Sequence, residues 1–184
     1  MKKIIIAIDS FKGCLTSAEA GKAAEKGIKS INPFCHTSVI PIADGGEGLL
    51  DVLITATKGK YITLSAHGPL MKMAKTHYGL SGNGRTAIIE MAAISGLPLV
   101  PIEQRNPMLT TTFGTGELIK DALNKGCRNF IIGIGGSATN DAGLGMLQAL
   151  GFRFLDKSGH TLGTGGQIME AVANIDTSGI HPAL

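Results

Sequence analysis

Three short runs set carboxylates, hydroxyls and a lysine among glycines. They are Asp9-Ser10-Phe11-Lys12-Gly13, Ala43-Asp44-Gly45-Gly46-Glu47-Gly48, and the stretch GIGGSATNDAGLG over residues 133–145. Glycyl backbone lets an anion come close to main-chain N–H groups, and a helix N-terminus adds partial positive charge, so such a turn suits phosphate. An aspartate in the same turn repels phosphate unless a cation intervenes, and Mg²⁺ with hard oxygen ligands is suited to that place. Backbone donors, a cation, a lysine against developing charge and a carboxylate for the acceptor hydroxyl are together the parts of phosphoryl transfer. On this reading Asp44, Asp141 and Lys12 are the catalytic set, with Asp44 and Asp141 on the metal. Asp9, Ser10, Gly45, Gly46, Glu47, Gly135, Gly136, Ser137, Thr139 and Asn140 bind substrate or phosphate, and Thr115, opening a helix after Gly114, makes a further ligand contact. A simpler reading has each glycine serve a tight turn and each aspartate cap a helix; it suits any one loop better than all of them together.

Something must position these loops. Lys3 to Ile8 reads as a buried first strand, and Thr16-x-x-Glu19 is a capping box opening an alanine-rich helix to about Ser30. Thr37 to Ile42 as strand and Leu49 to Thr57 as helix repeat that plan around the second loop. Tyr61 to Ala66 predicts a strand, a change of composition follows near Gly68, and Asn83-Gly84 predicts a hairpin turn. Gly114 to Gly126 is a helix with Leu118, Ile119, Ala122 and Leu123 inward and Gly126 ending it. Phe130 to Ile134 reads as a buried strand running into the third loop, with a helix from Leu144 and a short strand from Phe152 to Leu155. The Gly163 cluster is an ordinary loop, a brief helix covers Ile168 to Val172, and no element is predicted after Ile175. Ligands bind at the carboxyl ends of strands in open α/β sheets, so loops of one kind on parallel strands converge on one cleft.

The 184 residues, 43% hydrophobic with a net charge of +3, belong to a globular chain with a sizeable core. Scattered lysines and 4% aromatics leave neither a phosphate-tracking stripe nor a stacking platform, which speaks against nucleic acid. The apolar start ends at Asp9, too short for a signal segment, and no later stretch could span a bilayer, so a cytoplasmic protein is expected. Cys14, Cys35 and Cys127 are odd in number and widely spaced, which argues against a disulfide framework, and the histidines share no zinc-like spacing.

One rival uses the third loop differently. Gly133-x-Gly135-x-x-Ala138 after a strand, with Asp156 closing the next strand, matches a dinucleotide fingerprint and suggests an NAD(P)-binding oxidoreductase. Against it, Asp141 would face the pyrophosphate uncompensated, and the motif comes late in the chain. No Walker A frame is present.

Taken together, DSFKG, ADGGEG, IEMAAISGL, TTFGTGELI and GIGGSATND in this order resemble the type 1 glycerate kinase family, over the whole chain. The resemblance implies ATP- and Mg²⁺-dependent phosphorylation of D-glycerate to a phosphoglycerate, with the 2-phosphate favoured. It implies two α/β domains around an interdomain cleft lined by strand–glycine loop–helix units: residues 1–67 as part of a flavodoxin-like domain, incomplete in this chain, and 68–184 as part of the second. Cys14 stands where family members often carry serine, and family members continue well past Leu184. Residues 1–184 alone are therefore expected to have little kinase activity, and a non-catalytic nucleotide-binding fragment stays an alternative. The sequence leaves the oligomeric state open.

Overall fold

The computed structural model describes residues 3–184. Met1 and Lys2, the head of the start read above as too short for a signal segment, lie outside them. Strand β1 (Lys3–Ile6) and strand β2 (His36–Val39) pair in parallel, joined by helix α1 (Ser17–Ile31). The capping box forms as read: Thr16 Oγ1 accepts from Glu19 N at 3.3 Å and Glu19 Oε2 from Thr16 N at 2.9 Å. Such a cap contributes about 1 kcal/mol. A side chain in place of Gly21 would put its Cβ 2.3 Å from a Val39 methyl, so the small residue lets α1 lie against β2. Both strands end short of the predicted limits, because Ser17 takes over beyond them. Its hydroxyl donates to Ile8 O at 2.6 Å and accepts from Ile42 N at 3.0 Å, tying the two strand exits to the first turn of α1.

A second sheet runs in the order β3 (Lys60–His67), β4 (Met73–Leu80), β5 (Thr86–Glu90), β6 (Asn129–Gly133), antiparallel except for the parallel β5–β6 pair. The Asn83-Gly84 turn joins β4 to β5: Asn83 Oδ1 accepts from Arg85 N at 3.0 Å, and Gly84 takes φ +70°. Strand alternation then sorts the core. Ala87 and Ile89 point towards helix α4 (Phe113–Asn124), with Leu118, Ile119, Ala122 and Leu123 packed as the helical spacing predicts. Ile88 points the other way, onto Leu50 and Ile54 of helix α2 (Leu49–Thr57). The sheet is thus a middle layer between α2 and α4. Strand β3 precedes the composition change at Gly68 but pairs along its whole length with β4 beyond it.

Helix α3 (Ala92–Ser95) and two 3₁₀ turns (Leu97–Leu99, Ile102–Gln104) lead to α4, and helix α5 (Leu144–Ala149) packs on α4. Gly116 makes that approach possible, since a Cβ there would lie 2.2 Å from Met146 O. The chain past Ile175 departs from expectation. Strand β8 (Asn174–Asp176) pairs antiparallel with strand β7 (Arg153–Leu155), and His181 N donates to Leu150 O at 2.9 Å, so the end is held down. β6 also differs: it lies at the sheet edge, with Ile131 43% and Ile132 37% exposed, rather than buried. Among the described residues no helix is long and apolar enough to cross a membrane.

Candidate active site

The first loop is a tight hairpin. Phe11 N donates to Leu15 O at 2.9 Å, Leu15 N to Phe11 O at 3.0 Å, and Gly13 makes the reversal at φ +72°. This projects Lys12 outward, where its Nζ lies 3.9 Å from Asp44 Oδ2 with both side chains mostly in solvent. An ion pair so exposed adds little stability, and both groups stay accessible to a ligand. Asp9 Oδ1 accepts from Ser10 N at 2.7 Å, and Cys14 is exposed with a free thiol.

The second loop turns on its own aspartate: Asp44 Oδ1 accepts from Gly46 N at 2.9 Å. It then meets the third loop backbone to backbone. Gly135 N donates to Gly45 O at 3.2 Å, and a Cβ on Gly135 would fall 2.7 Å from Gly46 Cα. These glycines serve close approach between loops, and they do so although β2 and β6 belong to different sheets. Lys12, Asp44, Gly45, Gly46 and Gly135 therefore come together.

Asp141 is held by protein donors. Only 1% exposed, its carboxylate accepts from Thr112 N at 2.8 Å, Gly143 N at 3.1 Å and Gly145 N at 3.2 Å, and from the Thr111 and Thr112 hydroxyls. Thr112 Oγ1 in turn accepts from Met146 N at 2.9 Å. Together they pin the N-terminus of α5 to that of α4. They also hold two successive left-handed residues, Ala142 at φ +51° and Gly143 at φ +77°. For a non-glycine residue that backbone is uncommon and needs outside support. Thr115 is likewise 1% exposed, its hydroxyl 2.8 Å from Ser95 Oγ. Asn140 is exposed.

Two cavities flank the loops. The larger, about 430 Å³, lies between the first loop, α1, α2 and the end of β5, and its walls include Ser10, Glu19, Glu47, Asp51, His77 and Glu90. Glu90 accepts from Leu50 N at 2.7 Å, and its carboxyl is held above the usual range, first by burial and then by neighbouring Asp51 against the pull of that N–H. Asp51 accepts from the Tyr61 hydroxyl and pushes the phenol up to about 12. The smaller cavity, about 270 Å³, lies beside Ser137 and Thr139 with Arg105 in its wall. Asp51, Glu90 and Arg105 are polar residues that sequence reasoning passed over. Glu90 is the second residue of the IEMAAISGL run and Arg105 precedes Asn106-Pro107, but neither sits in a glycine loop, the feature that drew attention elsewhere.

Mg²⁺ usually takes one or two carboxylates and completes its shell with water and substrate phosphates. Asp44, exposed and with one oxygen engaged by Gly46 N, fits that demand; Asp141, satisfied by protein donors, does not in this conformation. Among the described residues no group of three His, Cys, Asp or Glu side chains could enclose a metal unaided. The dinucleotide reading fails on topology. A ribose-binding acid must end a strand parallel to β6, whereas β7 pairs antiparallel with β8, and Asp156 accepts from Ser158 N and His160 N in the turn after it. Nor does a helix follow the glycines directly: α5 begins at Leu144.

Comparison with known proteins bears on the same loops. Residues 4–184 match the model of the glycerate kinase family. The chain is 53% identical over 182 residues to a glycerate kinase of Bacillus subtilis (strain 168) and 50% identical over 182 residues to a glycerate 2-kinase of Escherichia coli (strain K12), covering 99% of this chain and 48% of each relative. A crystal structure from Salmonella typhimurium LT2 named for a glycerate kinase 2 is 49% identical and superposes with a TM-score of 0.84, over 97% of this chain and 48% of that one. The chain spans about half the length of the curated relatives it matches.

Proposed function

The chain belongs to the glycerate kinase family, and from that premise we propose that it supplies one wall of the site at which ATP phosphorylates a hydroxyl of D-glycerate, giving the 2-phosphate. One observation carries the reading: the Lys12–Asp44 pair stands against the junction of the two glycine loops, at Gly45 and Gly135. The name of the Escherichia coli relative, glycerate 2-kinase, favours the 2-position.

In this reading Asp44 would hold Mg²⁺, which would supply positive charge against the nucleotide phosphates. Lys12 places its ammonium against the transferring phosphoryl group, where charge spreads over the equatorial oxygens. Gly135, Gly136 and Ser137 face the phosphates, while Asp9, Ser10, Gly46 and Glu47 line the approach from the first two loops. A loose phosphoryl transition state asks mainly for positioning and charge. That demand gives Asp141 its part: by fixing the α4 and α5 N-termini it holds the third loop in place, and Thr115 and Ser95 brace the same region. The domain division proposed from the family pattern, residues 1–67 in a flavodoxin-like unit and 68–184 in the second, assigns β1, α1, β2, α2 and β3 to the first unit. A cytoplasmic setting fits the free thiols of Cys14 and Cys127.

The test replaces the matching segment of the Bacillus subtilis relative with residues 1–184. ADP release dependent on D-glycerate, with the product's phosphate located by ³¹P NMR, supports the assignment. An exchanged enzyme that folds yet forms ADP only at the glycerate-free rate would reject it.

A further inference from the structure

The smaller cavity is walled by two segments locked to each other. Thr110, 1% exposed, donates its hydroxyl to Ala138 O at 2.7 Å, and Ala138 N donates to Ser95 O at 2.9 Å. Arg105 enters from one wall. Its Nε donates to Val100 O at 3.3 Å, which orients the guanidinium, and its Nη groups meet no protein acceptor among the described residues. The opposite wall offers Ser137 and Thr139, whose hydroxyls lie 2.7 Å apart. When Ser137 donates within that pair, Thr139 keeps its proton for an outside acceptor. Two backbone donors of this wall are already used, Thr139 N by Ser137 Oγ at 2.9 Å and Ala138 N by Ser95 O at 2.9 Å, which gives the side chains the larger part in binding. No carboxylate lines the cavity. A cation and hydroxyls without a competing anion make a site for an oxyanion.

We propose that Arg105, Ser137 and Thr139 form an oxyanion subsite, in which the guanidinium anchors a small anionic group and Thr139 adds a hydroxyl donor. The volume of about 270 Å³ falls below the roughly 300–1,000 Å³ of pockets that enclose drug-sized ligands, so a group of a few atoms fits and a whole nucleotide does not. Resting on the kinase reading for its candidates, the subsite takes either the carboxylate of a three-carbon hydroxy acid or a phosphate group of the nucleotide.

Titration calorimetry on residues 1–184 with D-glycerate and, separately, with inorganic phosphate tests this. The subsite predicts saturable binding of at least one probe, weakened on the order of tenfold to a hundredfold by Arg105→Gln, the scale of a charged hydrogen bond. Arg105→Lys should recover part of the loss and Ser137→Ala should lose less than Arg105→Gln. Arg105 is exposed, and unchanged melting of the variants verifies that folding is not the cause. D-Glycerate binding alone identifies the carboxylate as the occupant, phosphate binding alone the phosphate, and binding of both a site that accepts either. Binding of neither probe by the unsubstituted chain, or equal affinity after Arg105→Gln, overturns the proposal. Those results are separate from the kinase reading, which stands or falls on ADP formation by the exchanged enzyme.

Discussion

The two cavities are opposites in charge. The larger brings Glu19, Glu47, Asp51 and Glu90 to its walls with no lysine or arginine among them, whereas the smaller presents Arg105 and no carboxylate. The carboxylates of the first disfavour an unaccompanied phosphate and the guanidinium of the second favours one, because like charges repel and opposite charges attract over these distances. Between them stands the junction of the glycine loops with the Lys12–Asp44 pair, one charge of each sign. Size therefore says little about where the anion goes; the sign of the lining decides it.

The largest effects should come from the two aspartates, and they should differ in kind. Asp44 is exposed and its substitution leaves no buried donor unpaired, so Asp44→Asn should lower kcat of the exchanged enzyme on the order of a hundredfold or more with little change in melting. Asp141→Ala removes the acceptor for three backbone N–H groups and two hydroxyls in a buried seat, and should cost about 2–4 kcal/mol in urea unfolding of residues 1–184. Equal stability loss in both variants would erase the distinction between an accessible and a structural carboxylate.

That distinction was the part of the site least visible in sequence. Both aspartates sit in glycine-rich runs after apolar stretches, and composition treats them alike. What separates them is Thr111 and Thr112, some thirty positions before Asp141, brought near only when α4 packs on α5. Local signals did better. The capping box, the Asn83-Gly84 turn and the inward face of α4 depend on neighbours within a few residues, and each formed where periodicity put it. Strand pairing depends on distant partners, so the loops expected on one sheet edge lie on two sheets and β8 went unread. Family resemblance carried further than periodicity because its motifs already encode such distant contacts.

A smaller effect should follow from widening the junction. Gly135→Ala places a methyl 2.7 Å from Gly46 Cα, against backbone that cannot rotate away. The loops must part, at a cost of about 1–3 kcal/mol. Gly27→Ala, where a Cβ meets nothing within 4 Å, is the control and should be neutral or slightly stabilising. If the junction is where phosphate is held, Gly135→Ala should also raise KM for ATP in the exchanged enzyme, while Gly27→Ala leaves it alone.

The subtlest test addresses the acidic cavity. Burial, followed by Asp51, raises the Glu90 carboxyl above its ordinary 4.5, with the Leu50 N–H opposing. The folded protein therefore keeps that proton to higher pH than the unfolded chain, and linkage makes stability fall as pH rises through the window that begins near 4.5. Above the window the ionised side chain is a standing cost that Glu90→Gln removes, because the amide keeps an acceptor for Leu50 N without the charge. Glu90→Gln should accordingly be more stable than the unsubstituted chain at pH 7, with the gap closing as pH drops below about 4.5, as read from urea unfolding across that range. A variant less stable at pH 7 would mean that the charge-assisted bond to the first turn of α2 outweighs desolvation. The larger cavity would then be tuned to keep Glu90 ionised, and the contrast with the Arg105 cavity would sharpen into a pair of sites each built around one full charge.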